Sequence, residues 1–282
     1  MRVFITGVKG QLGRTLEAFL SDHELTGVDL PECDITDRTQ IEAAISDAGP
    51  DVVIHCAAMT DVDGCARDPK AAYRVNGLGT QNVALACQNA GAAMVYVSTN
   101  EVFDGAADRP YVEFDAPNPV NPYARSKLAG EWYTQHLLTR FYIVRTAWLY
   151  AAGGRNFPHR IIQLADERGG LRVVTDEVGS PTYVVDLARA IGQLVSTGQY
   201  GVYHFVNEGV CSRLEFAREI LRLTGRAGVP VAPTTLAEFQ RDSKPPSYAP
   251  LANVAGAAIG IRLRLWQTAL AEFLGANGQN HT

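Results

Sequence analysis

The chain has 282 residues, 46% of them hydrophobic and 20% charged, with a net charge of -5. That is enough chain for one large domain or two fused ones, each burying its own core. A mildly acidic balance with no run of like charge excludes a nucleic-acid-binding or anionic-membrane surface and points to a small-molecule partner.

From the N-terminus, short apolar runs alternate with helical patterns. Val3-Phe4-Ile5 precedes a helix over Gln11 to Leu20, Leu25 to Val28 precedes one over Gln40 to Ala48, and Val52-Val53-Ile54 precedes one over Ala72 to Asn89. Met94 to Val97 leads through a long loop to a helix over Tyr123 to Leu138, and Tyr142 to Thr146 leads to a helix near Asn156 to Ala165. Strands that are apolar throughout belong to a parallel sheet covered on both faces, and strand-helix alternation is how such a sheet is wound. The expected fold is therefore α/β, a Rossmann-type doubly wound parallel sheet over residues 1–150. A smaller C-terminal α/β substrate lobe follows over residues 151–282, with an approximate boundary across which segments intermix. In that lobe the pattern predicts strands at Leu171 to Val174 and Val202 to Phe205. Helices are expected over Val184 to Leu194, Arg213 to Leu223 and Leu265 to Leu274, and a proline-broken loop from Leu236 to Leu251.

Five scattered cysteines without paired or His-linked ligand spacing predict reduced thiols and no metal site. Met1-Arg2 runs straight into a strand and no apolar run approaches membrane-spanning length, so a cytoplasmic location without membrane contact is expected.

Gly7-Val8-Lys9-Gly10-Gln11-Leu12-Gly13 joins the first strand to the first helix. There Gly7 permits a tight turn, Gly10 lets backbone approach a pyrophosphate, Gly13 allows close helix-strand packing, and the helix N-terminus offers amide donors to the anion. Asp29, at the end of the second strand, is either a ribose acceptor or a turn residue. As an acceptor with no Arg behind it, it favours NAD(H) over NADP(H). Asp34 either meets the adenine amino group, with Ile35 packed on the ring, or caps the next helix, as Asp37 also could. Ala57 and Ala58 end the third strand as small residues beside the cofactor path or as core packing.

Tyr123 and Lys127 are four residues apart at the start of a helix and share one face. That suits hydride transfer to a carbonyl, the phenol giving a proton to the developing alkoxide while the ammonium binds cofactor ribose. A charge about 4 Å away at an effective dielectric near 20 is worth roughly 4 kcal/mol, or about three pKa units, so Lys127 is expected to bring Tyr123 near neutral pH. Ser98-Thr99 ends the fourth strand with hydroxyls to hold the carbonyl.

The chain resembles the dTDP-4-dehydrorhamnose reductase family of extended short-chain dehydrogenases/reductases. The likeness runs through Gly7 to Gly13, Ala57 to Asp63, Ser98 to Gly105, the YARSKLAGE run ending at Glu131, Arg145 to Tyr150 and Val178 to Ala188. It implies Thr99, Tyr123 and Lys127 as the catalytic set. Gly10, Gln11, Leu12, Asp29, Asp34, Ile35, Ala57, Ala58 and Val97 would line an NADPH or NADH site. Asn100 and Trp148 would face the sugar nucleotide, with Thr182 and Ser247 as weaker candidates that turns explain better. The implied reaction reduces the C4 keto group of dTDP-4-dehydro-L-rhamnose to dTDP-L-rhamnose, with Tyr123 as proton donor, in a monomer or homodimer. The diphosphate needs donors; Arg155 and Lys244 are available, although surface ion pairs explain them better.

The family's usual run after the hydroxyls is Asp-Tyr, whereas this chain has Asn100-Glu101. Asn100 keeps hydrogen bonding without the charge, and Glu101 puts an acid where an aromatic platform is usual. Two alternatives follow: a reductase of a related nucleotide-linked 4-keto sugar, or a non-catalytic subunit resembling the regulatory beta subunit of methionine adenosyltransferase.

Overall fold

The structure is a computed structural model and describes residues 1–153 and 156–278. In chain order the first part gives β1 (Arg2–Thr6), α1 (Gln11–Phe19), β2 (Glu24–Val28), α2 (Arg38–Ala48), β3 (Val52–His55), α3 (Val62–Arg67) and α4 (Pro69–Ala72). A π-helical turn (Tyr73–Gly79), α5 (Thr80–Ala90), β4 (Ala93–Thr99), a 3-10 turn (Asn100–Val102), α6 (Pro122–Leu137) and β5 (Phe141–Thr146) follow. The rest gives β6 (Leu149–Tyr150), α7 (Phe157–Arg168), β7 (Leu171–Val174), β8 (Val178–Gly179), β9 (Thr182–Tyr183), α8 (Val184–Val195) and β10 (Gly201–His204). After them come β11 (Cys211–Ser212), α9 (Arg213–Leu223), β12 (Val231–Thr234), α10 (Ala255–Ala258) and α11 (Trp266–Gly278).

One six-stranded sheet in the order β10-β5-β4-β3-β1-β2 organises the molecule. Every neighbouring pair in it is parallel. Side chains alternate across it, so Val3 and Ile5 enter one core with Leu12, Leu16, Leu187 and Ile191. Phe4 enters the other, with Ile41, Ile45 and Val83. Fully burying each such side chain stabilises by roughly 1.5–3 kcal/mol, which is why helices cover both faces. The first core continues into the C-terminal lobe through Ile161, Phe216, Ile220 and Phe273. The winding reverses at β1, and the crevice beyond the strand ends there is where such sheets take ligands.

Two elements differ from expectation. The strand expected at Val202 to Phe205 is β10, which pairs with β5 inside the main sheet rather than in the substrate lobe. The two portions of the chain therefore interleave. The helix expected over Ala72 to Asn89 is broken by the π-helical turn, whose Asn76 holds the backbone of Met59 and the Ser126 hydroxyl of α6. Among the described residues no helix is long and apolar enough to cross a membrane.

Candidate active site

A cleft of about 720 Å³ opens at the carboxyl ends of the sheet strands, within the range usual for ligand sites. The expected catalytic and cofactor residues line it with Asn100 and Trp148, whereas Thr182, Ser247 and Lys244 do not. Gly7, Gly10, Gln11, Leu12 and Gly13 form the floor with Ala57, Ala58 and Val97. Asp29, Asp34 and Ile35 stand with the β2 end, and Thr99, Asn100, Tyr123, Lys127 and Trp148 border the cleft beyond β4.

The glycine-rich turn is built by necessity. Gly7 sits at φ 71°, and a Cβ on it would lie 2.6 Å from the Ala57 nitrogen. A Cβ on Gly13 would overlap the Gly7 carbonyl oxygen and stand 2.6 Å from the Val8 Cα. No side chain caps α1 at Gly10, so its N-terminus faces the cleft with amide donors suited to a pyrophosphate. Gly13→Ala is expected to weaken cofactor binding at least about tenfold by pushing the turn into the pyrophosphate path. Fluorescence titration with NADPH and NADH reads this, and an unchanged dissociation constant would show that the turn does not hold the cofactor.

Asp29 accepts from the Lys9 amide at 2.9 Å and the Leu30 amide at 2.8 Å. Its carboxylate thus anchors the glycine turn to the β2 end while lining the cleft. The helix cap is Asp37, which accepts from Thr39 and Gln40. The Asp34 carboxylate stands in the cleft wall and accepts from the Thr36 amide of its own turn at 2.8 Å.

Asn121 caps α6 by accepting from the Ala124 amide, and Pro122 starts the helix. This places Tyr123 and Lys127 on the cleft side. The Lys127 ammonium is buried, donates to the Val97 carbonyl at 2.7 Å and lies 4.3 Å over the Tyr96 ring. Burial is the largest influence and lowers its pKa to about 8, with the Glu131 carboxylate opposing.

Tyr123 behaves differently from the expectation that Lys127 brings it near neutral. Burial is the largest influence and pushes the phenol up, the Glu101 carboxylate pushes it further, and only a hydrogen bond with the Thr99 hydroxyl acts downward. Spacing on one helix face placed the lysine correctly but could not show its ammonium turned toward Val97, nor an acid from another segment beside the phenol.

The Asn100 amide donates to the Ala249 carbonyl at 2.9 Å, tying β4's end to the C-terminal lobe. The Glu101 carboxylate accepts from Asn121 at 2.7 Å while lining the cleft. Burial raises the Glu101 pKa, partly offset by Asn121 and then raised again by Glu177. Trp148, at φ 45°, is the one non-glycine residue with positive φ among the described residues. Its strained backbone presents the indole at the cleft mouth, as strained residues often do at sites. Thr182 donates to the Ser180 carbonyl and Ser247 accepts from the Val178 amide, which makes both structural. The Lys244 backbone accepts from Asn121, and Arg155 lies outside the described residues.

Sequence reasoning missed Arg74 and Val75 of the π-helical turn, Thr146, and Arg213, all of which line the cleft. Ser212 and Glu215 form a reciprocal capping box, a readable signal that puts Arg213 first in α9, but nothing in that signal points to the cleft. It also missed a second cleft of about 1700 Å³ in the C-terminal lobe, bordered by α7, β7 and the loop before Arg241.

The chain matches the family model described as RmlD substrate binding domain over residues 1–278. It is 42% identical to a dTDP-4-dehydrorhamnose reductase of Mycobacterium tuberculosis, covering 98% of this chain and 93% of that protein. A dTDP-4-keto-6-deoxy-D-glucose reductase of Streptomyces niveus is 36% identical over 96% of each chain. The crystal structure of dTDP-4-dehydrorhamnose reductase from Bacillus anthracis in complex with NADP superposes with a TM-score of 0.94 at 38% identity, covering 97% of this chain and 98% of that one. A family match over residues 1–278 and this identity over nearly the whole of both chains place the chain in the dTDP-4-dehydrorhamnose reductase family of nicotinamide-dependent oxidoreductases.

Proposed function

We propose that this protein reduces the C4 carbonyl of dTDP-4-dehydro-L-rhamnose to dTDP-L-rhamnose with NADPH or NADH. The observation that carries the reading is that Thr99, Tyr123 and Lys127 line one dinucleotide-shaped cleft, with the Lys127 ammonium buried and donating to the Val97 carbonyl. The glycine turn, the α1 N-terminus and Asp29 would hold the cofactor's pyrophosphate and ribose, and Val97, Ala57 and Ala58 leave room along the strand ends. When bound, the reduced nicotinamide supplies the hydride.

The protein's own contribution is a proton and its placement. Burial and Glu101 keep the Tyr123 phenol protonated, so a donor is ready whenever negative charge develops on the carbonyl oxygen. Thr99 orients that oxygen by hydrogen bonding. Lys127, mostly charged below about pH 8, lines the same cleft and would donate to the cofactor's ribose. The shielded position behind the strand end keeps that charge unscreened by water.

A second reading, reduction of a related nucleotide-linked 4-keto sugar, is favoured by Glu101, whose carboxylate lines the cleft beside Tyr123. Steady-state oxidation of NADPH and NADH with dTDP-4-dehydro-L-rhamnose and with dTDP-4-keto-6-deoxy-D-glucose separates the two. The first reading expects the higher kcat/KM for the rhamnose precursor by at least about tenfold, a difference of about 1.4 kcal/mol. The reverse order assigns the second.

A further inference from the structure

We infer that Arg213 binds the diphosphate of the substrate and sets the enzyme's requirement for a nucleoside diphosphate sugar. This rests on the proposed sugar-nucleotide reductase function and supplies the phosphate donor that Arg155 and Lys244 left unassigned. Among the described residues, Arg213 is the one common to the linings of the cofactor cleft and the second cleft. A sugar nucleotide carries its anionic link between two larger groups. With the sugar at Tyr123 in the first cleft and the nucleoside in the second, the link passes the residue they share.

The side chain is already held for that task. Its guanidinium lies 3.5 Å from the Trp148 ring centre and 5.1 Å from that of Phe157. Trp148 in turn lies flat against the backbone of Gly179, where a Cβ would stand 2.6 Å from the indole. Glu177 accepts from Nε at 2.9 Å and from Nη2 at 2.8 Å. Among the described residues Nη1 has no partner, so one end of the planar fork remains available to phosphate oxygens. Of the other four arginines at the second cleft, Arg160, Arg168, Arg172 and Arg241, three are occupied. Arg241 pairs with Asp63, Arg172 donates to Thr234, and Arg160 donates to Gln163.

The stack also couples the two clefts. A phosphate drawn to Nη1 settles the guanidinium on Trp148, the residue that borders the sugar end, so phosphate binding orders the wall against which the keto-sugar is placed. Glu177 limits this attraction by sharing the charge. A neutral sugar or a free nucleoside gains nothing from the guanidinium and should bind without regard to it.

The test uses the full-length protein with Arg213→Met and Arg213→Lys, measuring binding of dTDP and thymidine by calorimetry and KM for the dTDP-linked keto-sugar. Arg213→Met is expected to weaken dTDP binding and raise KM about tenfold or more, the usual scale for losing a charged hydrogen bond. Thymidine and cofactor affinities should stay within about twofold, because neither needs the guanidinium. Arg213→Lys, which keeps charge but not the fork, should fall between. Equal weakening of dTDP and thymidine would show a structural prop for Trp148 instead, and unchanged dTDP affinity would remove Arg213 from the phosphate site. Both outcomes overturn this inference while wild-type turnover stands, whereas wild-type protein that reduces no dTDP-linked 4-keto sugar overturns the functional reading beneath it.

Discussion

Tyr123→Phe is expected to lower kcat by about 10²- to 10⁴-fold, the range over which a positioned general acid acts, while cofactor affinity changes little. The Tyr123 phenol lines the cleft together with Thr99, and the ring that Phe retains keeps the packing. A structural role would lower stability and cofactor binding together; the proposed role lowers turnover alone. Measuring kcat beside a cofactor titration separates these outcomes. If turnover survives, Tyr123 is not the proton donor. The protein's pH response belongs to the same account. Lys127 is held at about 8, so kcat/KM is expected to fall as pH rises through that value and the ammonium is lost.

The second large effect is on stability. Beneath the active-site helix, the fully buried Glu131 carboxylate takes both prongs of Arg145, at 2.9 and 2.7 Å, and the Ser98 hydroxyl at 2.6 Å. Burial and Arg145 push His204 down to about 3. It is therefore neutral, with Nδ1 donating to the Tyr111 carbonyl and Nε2 accepting from Arg145. Arg145→Met would strand Glu131 without a cation, which costs about 3–5 kcal/mol for a buried pair. For a chain of this size that corresponds to a Tm loss on the order of 10 °C. The double variant Glu131→Leu with Arg145→Met should recover much of the loss, since removing both charges ends the desolvation penalty. Thermal unfolding of the three variants checks this. A small loss in Arg145→Met would mean that water or a neighbouring group satisfies Glu131.

The parts of this molecule that sequence made legible are those written in local periods. Val3-Phe4-Ile5 before Gly7 to Gly13, and Tyr123 with Lys127 on one helical face, carry their geometry within a few residues, and the fold leaves each where expected. Asp37 and Ser212 were readable in the same way, as caps. What was not readable depends on meetings between distant segments. Strand β10 joins β5 across 55 or more residues of chain, and an apolar run such as Val202 to Phe205 looks the same at a sheet edge or in a lobe. Burial of the phenol, and then Glu101 acting on it through space, override the expected lowering of its pKa. Arg213 reaches Trp148 from α9, and the second cleft exists only once α7, β7 and the loop before Arg241 are assembled.

In the proposed reaction Tyr123, Thr99 and Lys127 serve reduction of a nucleotide-linked keto-sugar at C4. Incubating the wild-type protein with dTDP-4-dehydro-L-rhamnose and nicotinamide cofactor deuterated at the reduced C4 position tests it directly. The predicted result is dTDP-L-rhamnose carrying one deuterium at sugar C4, formed with equimolar cofactor oxidation and abolished to background in Tyr123→Phe. Cofactor left unoxidised, or product without deuterium at C4, would contradict the account.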